Sequence, residues 1–156
     1  MNITPVAHIE SGFKEKFGIP RQSGLVSGTV AHIVFEKEYK NPDYIKGIED
    51  YSHLWLIWNF SKSNPSSVKP LVTPPRLGGN VKKGVFATRS PFRPNGMGLS
   101  SVRLEQVIYD DKRGPVLVVS GADLLDGTPI YDIKPYLAYT DSHGDARCGF
   151  AEEHKD

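Results

Sequence analysis

Short runs of apolar and β-branched residues recur along this chain, and their spacing predicts a protein made mainly of β-strands. The period-two spacing of Val102, Leu104 and Ile108 is typical of a strand with one buried face. A continuous apolar stretch at 52–60 predicts a central strand that is buried on both faces. The predicted strands are residues 3–9, 29–35, 52–60, 84–88, 99–109, 115–120 and 131–137.

Asparagine, glycine and proline interrupt these runs and predict one short helix and several tight turns. One of these turns, at 110–114, joins the strands 99–109 and 115–120 in a hairpin. Asn41 suits the N-cap of a helix that begins at Pro42, because its side chain can accept a hydrogen bond from a backbone N–H of the first turn. Gly47 keeps this helix short, since glycine is unfavourable inside helices. Short strands joined by glycine-rich turns favour a β-barrel or a β-sandwich.

Length and composition indicate a single domain. A chain of 156 residues with 38% hydrophobic content can bury one core. The one cysteine, Cys148, excludes an internal disulfide, and the five histidines lack metal-ligand spacing, so we expect no metal site. The longest apolar run, 54–58, is too short for a membrane span, and the first residues lack the features of a signal peptide. A cytoplasmic protein without membrane contact is therefore expected.

The charge is distributed unevenly along the chain, although the net charge is only +1. Residues 51–104 contain no Asp or Glu, and the remaining chain holds 11 basic and 18 acidic residues. The eight basic residues of the acid-free segment are Lys62, Lys69, Arg76, Lys82, Lys83, Arg89, Arg93 and Arg103. Such a segment predicts a polyanionic partner, because positive surface potential attracts phosphates. The alternative is a solvated basic face that has no partner.

The segment 87–101 combines stiffness with close backbone approach. Pro91 and Pro94 fix their own φ angles and restrict the residues before them. Gly96 and Gly98 carry no Cβ, so another group can come near the main chain. The side chains of this segment that suit contacts with phosphate, carboxylate or a base are Arg89, Phe92 and Arg93. The alternative is a tight hairpin connection with solvated arginines.

Familiar catalytic motifs are missing from the sequence. Gly96 and Gly98 lack the third glycine of a dinucleotide-binding fingerprint, because position 101 is serine and the next segment is strand-like. The sequence also contains no P-loop lysine motif, no HExxH and no GxSxG. Phosphoryl transfer by a P-loop, zinc hydrolysis and serine hydrolysis are therefore excluded.

Four separated motifs occur in the order seen in the TrmO family, also called TsaA-like. They are Gly-Ile-Pro-Arg-Gln at 18–22, Tyr-Ser-His-Leu-Trp-Leu-Ile at 51–57, Ala-Thr-Arg-Ser-Pro-Phe-Arg-Pro-Asn-Gly-Met-Gly-Leu-Ser at 87–100, and Asp-Gly-Thr-Pro-Ile-Tyr-Asp-Ile-Lys-Pro-Tyr at 126–136. The chain resembles this family from residue 13 to residue 151. The resemblance implies a mainly β fold with a single antiparallel β-barrel and one or two short helices. We expect the barrel domain over residues 1–140 and a C-terminal tail over residues 141–156.

The resemblance also implies a function. Members are S-adenosylmethionine-dependent tRNA methyltransferases that act as homodimers without a Rossmann fold. The implied reaction is N6-methylation of threonylcarbamoyl-adenosine next to the anticodon of threonine tRNA. Longer bacterial members carry an additional C-terminal domain, and a second subunit of this protein could supply the tRNA-binding surface of such a domain.

Site residues follow from the resemblance position by position. The implied S-adenosylmethionine contacts are Pro20, Arg21, Gln22, Ser52, His53, Arg89, Leu99, Asp126, Gly127, Thr128 and Pro129. Asp126 or a nearby carbonyl could accept hydrogen bonds from the methionine amino group, Arg89 could bind its carboxylate, and Leu99 could contact the adenine. The candidates for tRNA contacts are Arg76, Lys82, Lys83, Arg93 and Lys134 for phosphates, Phe92 for base stacking, and Asn95.

No catalytic residue is assigned. Methyl transfer from a sulfonium is an in-line displacement that depends mainly on holding the reacting atoms in place, so a strong general base is not required. Two other functions are compatible with the sequence. One is a non-catalytic RNA-binding or anion-binding barrel, and the other is a methyltransferase that acts on another small substrate.

Overall fold

The computed structural model describes residues 1–12, 30–60, 67–74 and 81–149, and strands predominate in this part of the chain. Within these ranges, the eight strands are β1 (Ala7–Glu10), β2 (Val30–Phe35), β3 (His53–Asn59), β4 (Leu71–Val72), β5 (Lys83–Gly84), β6 (Met97–Asp110), β7 (Gly114–Ser120) and β8 (Pro129–Pro135). The helices of the same ranges are α1 (Ala138–Asp141) and five 3-10 helices at Lys37–Tyr39, Pro42–Ile45, Ile48–Asp50, Val85–Ala87 and Pro94–Gly96. The prediction of a mainly β protein is confirmed, whereas these ranges contain six short helices where one or two were expected.

The chain forms two compact units. The first, which we call the ring unit, consists of Met1–Ser63 and Gly98–Tyr136. The second, which we call the loop unit, consists of Asn64–Met97 and Leu137–Asp156. The loop unit contains the two-stranded antiparallel sheet of β4 and β5, in which Leu71 pairs with Gly84.

Six strands of the ring unit close on themselves in the order β1-β2-β7-β6-β3-β8. β1 completes the ring, because Ala7 pairs with Phe35 of β2 on one side and with Ile130 of β8 on the other. The pairings of β1 with β2 and β8, of β7 with β2 and β6, and of β3 with β8 are all antiparallel. The interior is filled mainly by aliphatic side chains, together with one phenyl ring and one indole. Its members include Ile9, Ile33, Phe35, Leu54, Leu56, Trp58, Val102, Leu117, Val119 and Ile130.

Strand β3 has one buried face, which corrects the prediction of burial on both faces. Leu54, Leu56 and Trp58 are buried, whereas the residues between them are half-buried. Trp55 and Ile57 are apolar residues of the outer face, where Trp55 contacts Tyr136. The aromatic cover on the outer face explains why the sequence run is apolar throughout although only alternate residues enter the core.

Strand β6 contains a register shift that the sequence did not reveal. Its pairing with β7 shifts between Leu104 and Gln106, as in a β-bulge. A bulge reverses which residues face inward, so Val107 packs against the core and Ile108 lies on the outside. The prediction that Ile108 shares one face with Val102 and Leu104 was therefore wrong.

The predicted strand at 84–88 was also wrong beyond its first residue. Only Lys83–Gly84 pair as a strand, and Val85–Ala87 turn into a 3-10 helix. Both the N–H and the hydroxyl of Thr88 donate to the carbonyl of Val85, at 3.1 and 2.8 Å. These bonds close the turn, because they satisfy the carbonyl that a continuing strand would offer to a neighbour.

Two local predictions are confirmed. The side chain of Asn41 accepts a hydrogen bond from the N–H of Asp43 at the start of Pro42–Ile45, although this helix is of the 3-10 type. The turn between β6 and β7 is held by Asp110, which accepts the N–H groups of Arg113 and Lys112 at 2.8 Å each. These hydrogen bonds lower the pKa of the Asp110 carboxyl below its usual value, and the bond from Arg113 has the largest effect.

None of the helices in the described ranges is long and apolar enough to cross a membrane. Within the same ranges, no group of three or more His, Cys, Asp or Glu residues is arranged to hold a metal ion.

Candidate functional site

A polar turn precedes β8 and is fastened to the end of β1. The N–H of Ser11 donates to Oδ1 of Asp126 at 2.9 Å, and the Ser11 hydroxyl donates to the carbonyl of Leu124 at 2.9 Å. Gly127 donates its N–H to the carbonyl of Ile9 at 2.7 Å. The φ angle of Gly127 is +84°, a conformation that favours glycine. The carboxylate of Asp126 is thus held at a fixed place on a rigid turn.

Thr128 closes the same turn from inside. Its N–H and its hydroxyl both donate to the carbonyl of Leu125, at 3.1 and 2.7 Å. The side chain of Thr128 is buried, whereas Gly127 is exposed and Asp126 is half-buried. The turn therefore exposes backbone and one carboxylate, while its hydroxyl is used internally.

Strand β6 begins beside this turn, and a chain of hydrogen bonds fixes its position. The indole Nε1 of Trp58 donates to the Ser100 hydroxyl at 2.9 Å, and that hydroxyl donates to Oδ1 of Asp123 at 2.7 Å. Gly98 lies so near the indole that a Cβ on it would be 2.4 Å from two ring atoms. Leu99 lies between these two anchors and is 46% exposed. The arrangement presents an aliphatic side chain at the same end of the ring as the turn at 124–129.

Ser52 and His53 lie at the start of β3, where they form a second polar feature. The Ser52 hydroxyl and Nδ1 of His53 are 2.7 Å apart, within hydrogen-bond distance. The carbonyl of His53 accepts the N–H of Tyr136 at 3.0 Å, and the two rings are 6.1 Å apart. Trp55 extends this aromatic group, with its ring 5.5 Å from that of Tyr136.

The strand register separates these two features. Leu54 pairs with Pro135 at the end of β8, whereas Trp58 pairs with Ile130 at its start. The N–H of Leu104 donates to the carbonyl of Ser52, which places the start of β3 beside the middle of β6. At a rise of about 3.3 Å per residue, Ser52 and His53 lie roughly 20 Å along β8 from the turn at 126–129. The ring unit thus brings Leu99 to Asp126–Pro129 and leaves Ser52 and His53 at the other end.

The loop unit holds the arginine-bearing segment in one conformation. Nη1 of Arg93 donates to the carbonyls of Thr88 at 2.7 Å and of Ser90 at 3.3 Å. Asn95 is the one non-glycine residue with a positive φ, +69°, in the described ranges, and Gly96 follows at +55°. Arg93 therefore braces the bend, while Arg89 and Asn95 are exposed on it.

Other predicted tRNA contacts lie on exposed or half-buried surface. Lys82 is exposed and Lys83 is half-buried in β5. The Phe92 ring is half-buried, and Nζ of Lys69 lies 4.3 Å from its centroid. In the ring unit, Nζ of Lys134 forms an ion pair with Asp132 at 2.9 Å, so a phosphate would have to compete with that carboxylate. Predicted site residues that lie outside the described ranges are Pro20, Arg21, Gln22 and Arg76.

Sequence reasoning missed two features of these surfaces. Phe86 is 78% exposed, and its position inside a predicted strand concealed this. The Trp58–Ser100–Asp123 chain was also missed, because partners 42 and 23 residues apart in sequence leave no local signal. The sequence signal that could have indicated this chain is Ser100 itself, because a serine on the core face of a strand requires a hydrogen-bond partner.

Fold and site define a class before any relative is considered: a mainly β, non-Rossmann protein with a rigid acidic turn and an acid-free basic loop. The sequence matches the tRNA-methyltransferase O N-terminal domain family over residues 8–142. The chain belongs to this family.

Individual relatives agree with this assignment. The chain is 44% identical over 144 residues to the tRNA (adenine(37)-N6)-methyltransferase of Escherichia coli. This match covers 92% of this chain and 61% of that protein. It is 36% identical over 149 residues to a probable S-adenosyl-L-methionine-binding protein of Pyrococcus abyssi. This match covers 96% of this chain and 75% of that protein. The crystal structure of TrmO from Pseudomonas aeruginosa superimposes with a TM-score of 0.78 and 40% identity, covering 97% of this chain and 62% of that one. The chain thus spans about three-fifths of its Escherichia coli relative.

Proposed function

We propose that this protein transfers a methyl group from S-adenosylmethionine to N6 of an adenosine next to the anticodon of a tRNA. The observation that carries the proposal is the match over 92% of this chain to a protein named tRNA (adenine(37)-N6)-methyltransferase. The acid-free segment 51–104 supports it independently, because its basic side chains have no acidic neighbours in sequence and would attract a polyanionic substrate. A tRNA substrate also agrees with the expected cytoplasmic location.

The residues at the turn fit the cofactor. A carboxylate at Asp126, held by the N–H of Ser11, suits the ammonium of the methionine part. The exposed side chain of Leu99, at the same end of the ring unit, offers apolar contact for an adenine ring. When bound, the cofactor supplies a methyl group on a sulfonium, and transfer joins that carbon to N6 while the carbon–sulfur bond breaks and one N6 proton is released.

The chain contributes mainly position to this reaction. Alignment of the methyl group with N6 at about 3 to 3.5 Å can supply much of the rate enhancement. The rigid turn at 126–129 and the Trp58–Ser100–Asp123 chain provide the stiffness that such alignment needs. No residue is assigned as a general base, since the proton can leave to a weak acceptor or to water.

The proposed substrate in finer detail is threonylcarbamoyl-adenosine in threonine tRNA. The threonylcarbamoyl group makes the N6 proton more acidic than in adenosine, so no strong base is required. Its carboxylate would be attracted by the basic segment that carries Arg89 and Arg93.

We propose further that two copies of the chain share each cofactor site. One cofactor cannot readily contact Ser52 and His53 and also the turn at 126–129 of the same copy, because these groups lie roughly 20 Å apart along β8. A two-fold dimer can bring Ser52 and His53 of each copy beside the turn at 126–129 of the other copy, because its contacts are reciprocal. A homodimer would therefore complete two equivalent sites.

Thermal unfolding tests the cofactor proposal against a non-catalytic RNA-binding protein. S-adenosylmethionine at one hundred times its Kd should stabilise the fold by about 2.7 kcal/mol. For a chain of this size that corresponds to a Tm increase of roughly 5 to 10 °C. Asp126→Asn should reduce the shift, and the exposed Asp111→Asn should retain it. No shift for the wild-type protein would exclude the cofactor and leave the RNA-binding alternative.

A further inference from the structure

Phe86 is the most exposed phenylalanine among the described residues. Its relative exposure is 78%, whereas the Phe92 ring is half-buried beside Lys69. A phenyl ring carries no polar group, so a partner that covers it gains the free energy of burying its apolar surface. The exposed ring of Phe86 is therefore available for such a contact.

The backbone under Phe86 is rigid. Val85 is buried, and its N–H donates to the carbonyl of Pro70 at 2.9 Å. Thr88 closes the turn on the other side through its two hydrogen bonds to the carbonyl of Val85. The ring is thus presented on a fixed 3-10 turn, so little conformational entropy would be lost when a partner binds it.

The surroundings of the ring are cationic. The guanidinium carbon of Arg93 lies 6.0 Å from the Phe86 centroid, and its position is fixed by bonds to the carbonyls of Thr88 and Ser90. Lys82 and Arg89 are exposed on the same short stretch of chain, and residues 64–97 contain no acid. Aromatic rings interleaved with cations are the chemistry that binds unpaired bases and their phosphates.

We propose that Phe86 is a stacking platform for an unpaired base of the RNA substrate, with Arg93 beside the stacked pair and the neighbouring lysines on the phosphates. A base is favoured over a protein or a lipid surface by the basic, acid-free composition of residues 64–97 and by the single flat ring. This inference deepens the proposed function, because it names the part of the RNA that the loop unit contacts. It also identifies a stacking residue that the sequence motifs do not contain.

The test uses the purified full chain and anticodon stem-loop RNAs in which single loop bases are replaced by fluorescent 2-aminopurine. Wild-type protein should quench the fluorescence at one loop position. Phe86→Ala should abolish that quenching and weaken binding by at least about fivefold, while the dependence of affinity on salt is unchanged because no charge is removed. Phe86→Tyr should restore both readouts.

Tyr109→Ala is the matched control. Tyr109 is 60% exposed, but it is followed by Asp110 and Asp111 and lies outside the acid-free segment, so its loss should leave binding and quenching unchanged. Wild-type quenching and affinity in Phe86→Ala would overturn the inference. Light scattering that shows a dimer in the wild type and a monomer in Phe86→Ala would also overturn it, since the ring would then be an interface between copies.

The inference and the proposed function can fail separately. If the wild-type protein quenches 2-aminopurine through Phe86 but transfers no methyl group, the stacking site stands and the methyltransferase proposal fails. If the wild type and Phe86→Ala methylate tRNA equally well at limiting RNA, and neither quenches the fluorescence, only the stacking proposal fails.

Discussion

Gly98→Ala is expected to destabilise the protein by about 3 kcal/mol, at the upper end of the usual cost of overpacking a core. The added Cβ would lie 2.4 Å from Cε2 and Cζ2 of Trp58 and 2.7 Å from Cη2. The indole cannot move aside easily, because its Nε1 is bonded to Ser100 and through it to Asp123. Denaturant unfolding should report the loss, and S-adenosylmethionine binding should weaken as Leu99 is displaced.

Gly84→Ala provides the control for this substitution. Gly84 has a φ of −59°, which alanine adopts readily, and nothing lies within 4 Å of a Cβ placed there. Its stability should remain within about 0.5 kcal/mol of the wild type.

In Trp58→Phe the smaller ring should make Gly98→Ala less costly, so the two effects should not add. Equal stability of Gly98→Ala and the wild type would show that β6 is not pressed against the indole.

Heterodimers of His53→Ala and Asp126→Asn are expected to regain methyltransferase activity that each variant alone has lost. Displacing groups that position the reactants can reduce the rate by about a hundredfold, so each homodimer should be nearly inactive. Under the proposed shared site, one site of the heterodimer receives Asp126 from one copy and His53 from the other, and the second site receives both substitutions. Such a dimer should show about half of the wild-type activity.

The mixed dimer is obtained by co-expressing the two variants with different affinity tags and purifying through both. The control is a chain that carries both substitutions, co-expressed with the wild type in the same way. If the site is shared between copies, each site of this mixed dimer contains one substituted residue, so neither site is intact. If instead each site lies within one copy, the first heterodimer stays inactive and the control regains about half. An inactive first heterodimer together with an active control would reject the shared site and leave the methyl-transfer proposal intact.

The parts of the fold that depend on local chemistry could be predicted from the sequence. Asn41 caps its helix as expected, and the turn after Asp110 joins two antiparallel strands as expected. The predicted ends of two strands were wrong: β1 begins at Ala7 rather than at residue 3, and β8 runs over Pro129–Pro135 rather than over residues 131–137. Strand ends are set by pairing partners, which the local sequence does not specify.

Features that depend on distant partners could not be predicted. The shift after Leu104 turns Ile108 outward, and nothing in its spacing from Val102 indicates a bulge. Phe86 was assigned to a strand, because the N–H of Val85 is bonded to the carbonyl of Pro70, a partner that the local sequence around Phe86 does not indicate. The motifs therefore indicated the candidate site residues. The register of β3 and β8 was needed to show that Ser52 and His53 lie apart from the turn at 126–129.

The most direct test of the central claim is to incubate the purified chain with isotopically labelled S-adenosylmethionine and threonine tRNA that carries threonylcarbamoyl-adenosine, and to analyse the digested nucleosides by mass spectrometry. The proposed function predicts one labelled methyl group on N6 of the adenosine next to the anticodon, and none on tRNA that lacks this adenosine. Cofactor binding with no label in any tRNA nucleoside would contradict it.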